Sequence, residues 1–279
     1  MRSNNPVLKN LPGADNQAVR MPQGYGYQQP GFEQGYGAPM APPHGAQVSR
    51  PMTIDDVTAK TGITLAVIIV SAIVSFMMWA GGVQPVAAIL TFGGAIAAFI
   101  TVLVHSFGKK FGSPTVTLLY AVFEGLFLGG FSFAVTGAFT VGGADAGAMI
   151  GQAILGTIGV FVGMLVVYRT GAIRVTARFN RILTGMIFGV FFMALGNFLL
   201  YLFTGMSPLR GGGTMGIIFG VVCIVLAALA FLQDFDLADK LVRTNAPQEA
   251  AWGVALGLAV TLVWLYTEIL RLLSYVSDR

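Results

Sequence analysis

The chain has 279 residues, of which 55% are hydrophobic and only 10% charged, with a formal net charge of +4. Soluble domains carry roughly a quarter of their residues as Asp, Glu, Lys and Arg, so this composition excludes an ordinary water-soluble globule. The single cysteine, Cys223, lies within an apolar run and excludes an intrachain disulfide. Several windows of about 20 residues hold almost no charge, the length at which a helix crosses a bilayer, and the chain reads as an integral membrane protein.

Residues 1–51 are a different material. "MPQGYGYQQPGFEQGYGAPMAPPHG" is rich in Gly, Pro, Gln and Tyr, and eight of the twelve prolines fall in this first stretch. Too little apolar surface is available there to offset the entropy of ordering, so a disordered tail is expected. It reads either as a tyrosine-bearing arm that binds other membrane proteins or as a solvated extension. No cleavable signal peptide is expected, because the first 30 residues lack a continuous apolar core.

The remainder, 52–279, is expected to form one transmembrane domain. In "MTIDDVTAK", Thr53 and Asp56 are spaced as a capping box ahead of a helix. Seven apolar segments follow, at about 63–80, 85–107, 115–139, 147–168, 182–203, 214–232 and 252–276, and they predict an all-α bundle of seven transmembrane helices. Pro85 and Pro114 fall at helix starts, where a missing N–H costs nothing, and Pro208 and Pro247 fall in loops.

Basic residues alternate between the short loops. Lys109, Lys110, Arg169, Arg174, Arg178, Arg181, Lys240 and Arg243 lie in one set, and Arg210 alone lies in the other. The positive-inside rule then places the N-terminus in the cytoplasm and the C-terminus outside. Glycines four apart recur as Gly125/Gly129, Gly159/Gly163, Gly185/Gly189, Gly216/Gly220 and Gly253/Gly257. Such small faces let helices approach closely, and all five are expected to pack within the bundle.

Acids inside the spans carry the chemistry. Glu124 lies in "LLYAVFEGLFLGG" and Glu268 in "TLVWLYTEILRLL". A carboxylate in hydrocarbon costs a few kcal/mol, so such residues face the interior or a wet cavity, where they handle cations or protons or simply hydrogen-bond to a neighbouring helix. Arg271, three residues beyond Glu268, is expected to pair with it on the helix surface. Asp234, Asp236 and Asp239 end the sixth apolar run; Asp236 and Asp239 suit a water-facing end beside Lys240 and Arg243. Asp234 shares a small-sided face with Ala230 and Ala227 and can point into the bundle mouth.

The stretches "FEGLFLGG", "FLQDFDLADK" and "LVWLYTEILRLLSYV", with the seven-span layout, resemble the Bax inhibitor (transmembrane BAX-inhibitor-motif) family over roughly residues 55–279, most closely its bacterial YccA-like branch. The resemblance implies a seven-helix bundle with a central final helix, acting as a pH-sensitive calcium leak or as a regulator of stress responses and proteases. It also implies a pair of acids, one ending helix 6 and one within helix 7, that share a proton to close the pore. "LYTE" puts Glu268 in the second place, and "QDFD" leaves Asp234 and Asp236 as alternatives for the first. Glutamate stands where the family has aspartate, and the acid that some relatives carry in helix 2 is missing around "FGGAIAAFI".

Two functions are therefore expected: a pH-responsive cation leak, with calcium as the ion and Asp234, Glu268, Glu124 and Asp236 along its path or gate, or a non-transporting regulator that binds membrane proteins such as a quality-control protease. Enzymatic activity is not expected, since His44 and His105 are the only histidines and no nucleophile, metal cluster or phosphate loop stands in context. No cofactor and no nucleic-acid partner are expected; the lipid bilayer, calcium and protons are.

Overall fold

Local hydrogen bonding, rather than hydropathy, decides where the first helix begins. Thr53 Oγ1 accepts from the Asp56 N–H at 3.2 Å, and Asp56 Oδ2 accepts from the Thr53 N–H at 3.0 Å, so two orphan amides are satisfied reciprocally. In the computed structural model, which describes residues 50–108, 111–137, 146–210 and 213–277, this box opens α1 (Ile54–Ala80). There follow α2 (Gln84–Phe107), α3 (Pro114–Gly137), α4 (Ala146–Thr170), α5 (Ala177–Thr204), α6 (Thr214–Arg243) and α7 (Ala250–Ser277). All seven are long and apolar enough to cross a membrane, and the described residues contain no strand, only an isolated bridge between Pro51 and Pro247. The tail reading for residues 1–49 and the loop charges Lys109 and Lys110 lie outside the described residues.

Three helices outrun their apolar cores; α5 begins at Ala177, where Thr176 Oγ1 accepts from the Phe179 N–H at 3.1 Å, so Arg178 and Arg181, expected in a loop, lie within it. α1 starts well before 63 because its first turns anchor in polar contacts: Arg50 reaches Asp56 at 2.7 Å, and Lys60 Nζ donates to the Gln248 carbonyl at 2.6 Å while lying over the Trp252 ring. α6 continues to Arg243, so Asp234, Asp236 and Asp239 lie within it. Asp236 pairs with Lys240, and Asp239 with Arg243 at 2.9 Å, both at the i,i+4 spacing that a helix brings together.

The last helix is the axis of the bundle. In its most apolar window 67% of α7 is buried, against 6% for α5, and α7 packs on α1, α3, α4 and α6. α3 is held between α1 and α2 by missing side chains. Gly125 and Gly129 lie against the α1 backbone at Ile68 and Ala72, Gly130 lies against Thr91 of α2, and Gly94 of α2 faces the Phe123 carbonyl. The close approach lets Ser75 donate across it to the Leu126 carbonyl at 2.7 Å.

Only part of the expected glycine packing forms. Gly125/Gly129 meets α1 and Gly253 meets the Phe111 ring, while Gly257 stands in ordinary contact with Asp234. Gly216 has only ordinary contacts with Leu209 and Tyr275, and Gly159, Gly163, Gly185, Gly189 and Gly220 have nothing close to where a Cβ would stand. The pattern marks where backbones can approach, and a neighbouring helix must still be there to use it.

Gly129→Leu forces its new carbons into the Ala72 backbone, which cannot yield, so a loss of about 3 kcal/mol or more is expected. Gly159→Leu enters open space and should change stability by less than about 0.5 kcal/mol. Thermal unfolding of both variants in detergent checks the contrast.

Candidate functional site: a charged cavity beside the central helix

The site is built from an unusual loop. α5 ends at Gly205, whose left-handed backbone (φ +70°) needs a residue without a Cβ and turns the chain back towards the bundle. Asn197, buried on α5, clamps the returning loop: its Nδ2 donates to Ser207 Oγ at 3.0 Å, and its Oδ1 accepts from the Leu209 N–H at 3.0 Å. Tyr275 near the end of α7 then donates its hydroxyl to the Arg210 carbonyl at 3.0 Å. The outcome is that Arg210 points inward rather than into water.

There it meets Glu268, which is 3% exposed. Arg271 Nη1 donates to both Glu268 oxygens, at 3.1 and 3.0 Å, and Arg210 Nη2 lies 3.7 Å from Oε1. The Arg271 guanidinium lies over the Phe131 ring of α3, 5.3 Å from its centre. One buried carboxylate is thus held by two guanidiniums, and one of these stacks on an aromatic face. Burial pulls the Arg210 guanidinium below its ordinary value, Arg271 adds to that effect, and Glu268 opposes it.

Glu124 lies across from this cluster on α3. It and Glu268, Arg210 and Arg271 line one cavity of about 530 Å³, walled by α2, α3, α5 and α7 with Ala98, Phe99, Val190 and Trp264 among its apolar lining. Among the described residues Glu124 forms no ion pair and no hydrogen bond, so its carboxylate is the free acid of the cavity. The cavity holds two acids and two bases among apolar side chains, so with both arginines charged it is neutral only when both acids are ionised.

Asp234 stands elsewhere. Thr261 of α7 donates to its Oδ2 at 2.7 Å, and Gly257 lies one turn earlier on the same side. It does point inward, as its small-sided face implied. Asp236 turns to Lys240 at the helix end. Neither meets Glu268: Thr261 and Glu268 are seven residues apart on α7, about 10 Å along the axis. The paired acids implied by the resemblance are therefore not in contact in this structure, and Glu268 takes arginine partners instead.

Sequence reasoning placed the Arg271 pair on the helix surface, whereas it is buried, and treated Arg210 only as a loop charge. The available signal for Arg210 was its isolation: it is the one basic residue in its set of loops, at the same end of the bundle as Glu268. His105, buried at the end of α2 against the Phe111 ring, stands apart from the cavity. No group of three or more His, Cys, Asp and Glu that could hold a metal ion occurs among the described residues.

A seven-helix membrane bundle wrapped around its last helix, with acids and arginines enclosed beside it, defines a multi-pass membrane protein with a charged interior. Residues 5–278 match the family model described as Bax inhibitor 1 like, and the chain belongs to that family. The match begins well before Arg50, the first described residue. No curated protein matches the chain in sequence.

Removing one partner of a buried ion pair costs roughly 3–5 kcal/mol, because the other charge stays behind. Arg271→Ala should destabilise the protein by about that amount, and the double variant Arg271→Ala with Glu268→Ala by clearly less than the sum of the singles. Chemical unfolding in detergent across the four-member cycle measures the coupling, and an additive result would mean that the pair carries no interaction energy.

Proposed function

We propose that the protein is a pH-responsive cation leak of the membrane, with calcium as the ion. The observation that carries this reading is that Glu124 and Glu268, from helices distant in sequence, face one half-open cavity between α2, α3, α5 and α7. Calcium takes oxygen ligands, and an unpaired interior carboxylate such as Glu124 supplies the negative charge that a dehydrated cation requires. Protonating an acid cancels that charge, which makes flux respond to pH. The family resemblance supplies calcium as the ion, and the YccA-like branch with it.

In this reading the structure is a closed form. Glu268 is occupied by Arg271 and Arg210, and Asp234 shares no partner with it. The stretch of α6 and α7 next to Asp234 carries the buried Ala227, Leu258 and Leu265 of the apolar core. Opening requires the arginines to release Glu268 and α6 to shift along α7, joining Asp234 to the cavity. Small residues on that seam, Ala227, Ala230 and Gly257, make such sliding cheap. The basic loops orient the N-terminus to the cytoplasm and the C-terminus outward in a bacterial-type inner membrane. Asp234 then marks the cytoplasmic mouth, with Glu124 deeper and Glu268 nearer the far side.

Liposomes loaded with a calcium-sensitive dye test this reading. Wild-type protein should pass calcium at a rate that changes with pH, and Glu124→Gln with Asp234→Asn should cut the rate by about tenfold or more, since a carboxylate near 4 Å from a cation is worth about 4 kcal/mol at an effective dielectric of 20. Flux that is equal in wild type and variant overturns the assignment.

A further inference from the structure

We propose that the cleft between α1 and α4 is a binding site for an anionic phospholipid, with the acyl chains lying in its apolar half and the headgroup phosphate on Arg169 and Arg174. The cleft has two connected parts. The first, about 380 Å³, is walled by Ile69 and Ile73 of α1 and Ile154 and Ile158 of α4, with Leu262 and Tyr266 of α7 as its floor. The second, about 980 Å³, continues it toward the basic end of the bundle, and Leu65, Ile158 and Leu262 line both. An apolar slot thus opens into a wider vestibule.

The chemistry changes along that line in the order a phospholipid does. The apolar half offers almost no polar group. Further along, Thr58 and Thr61 of α1 and Tyr168 of α4 join the lining.

At the rim stand Arg169, Arg174 and Arg243 against one acid, Asp239. Arg243 is already held by Asp239 at 2.9 Å, and the Tyr168 hydroxyl also donates to that carboxylate, at 3.5 Å. Arg169 and Arg174 are exposed and have no ion pair among the described residues. Two uncommitted guanidiniums at the mouth of an apolar slot match a phosphate joined to hydrocarbon. Because the slot opens between two membrane-spanning helices, its occupant comes from the bilayer. A soluble phosphate would leave the apolar half empty, and a zwitterionic lipid would leave the rim charge unbalanced.

Native mass spectrometry of the full chain, delipidated in detergent and mixed with equal phosphatidylglycerol and phosphatidylcholine, tests the proposal. Phosphatidylglycerol should be retained in preference, and Arg169→Gln with Arg174→Gln should lower that retention by about tenfold while leaving phosphatidylcholine unchanged. Ile158→Trp, which fills the junction of the two parts, should lower it with both arginines in place. Glycerol phosphate added alone should not be retained. Equal retention of the two lipids by the wild type overturns the proposal, as does retention unaffected by the double arginine variant in protein whose thermal unfolding matches the wild type.

Discussion

A carboxylate buried among membrane helices is tolerable only if opposite charge comes to it, and much of this molecule follows from how Glu268 obtains that charge. Arg271 is supplied by the helix itself, one turn on. Arg210 must be brought from a loop, and the left-handed turn at Gly205, the Asn197 clamp and the Tyr275 hydroxyl all serve to bring it. The loop between α5 and α6 is thereby tied to the end of α7, although α5 is otherwise the most exposed of the helices. The same ion cluster forms one wall of the cavity that Glu124 faces. One electrostatic requirement therefore sets a loop conformation, a helix-end contact and a polar interior.

Packing around this centre is uneven, and the unevenness has a physical source. Lipid tails are as apolar as leucine, so helices in a bilayer adhere where backbones come close and polar groups bond across the gap. α1, α3 and α2 satisfy this condition with glycines and with the Ser75 hydroxyl, and α7 does so along almost its whole length. α4 and α5 carry glycine pairs of the same spacing that meet nothing. Clefts open on the flanks of these two helices, and the open flanks are where both the charged cavity and the basic-rimmed groove occur.

The spans were legible in the sequence because twenty uncharged residues have few alternatives to crossing a bilayer, and the centrality of α7 was legible only through the family resemblance. The helix ends were less so. Thr53 and Asp56 announced the start of α1, but the turns from Asp55 to Lys60 carry charge and fall below any hydropathy threshold. The continuation of α6 through its three aspartates was hidden for the same reason, although the i,i+4 basic partners of Asp236 and Asp239 were visible. Asp234 was read correctly as inward-facing from Ala230 and Ala227, because a small-sided helix face is a local property. The Arg210 contact was not legible, since it depends on a loop folding back through Asn197, thirteen residues away in sequence. A loop arginine looks the same whether it fixes topology or neutralises a buried acid.

The central claim is that the interior acids of the α7 cavity are ligands for a cation. Infrared difference spectra between calcium-loaded and calcium-free protein, recorded on the wild type and on Glu124→Gln, test it most directly. The account predicts a perturbed carboxylate band on adding calcium that disappears when Glu124 is replaced. A spectrum without any carboxylate change, or one identical in the two proteins, would contradict it.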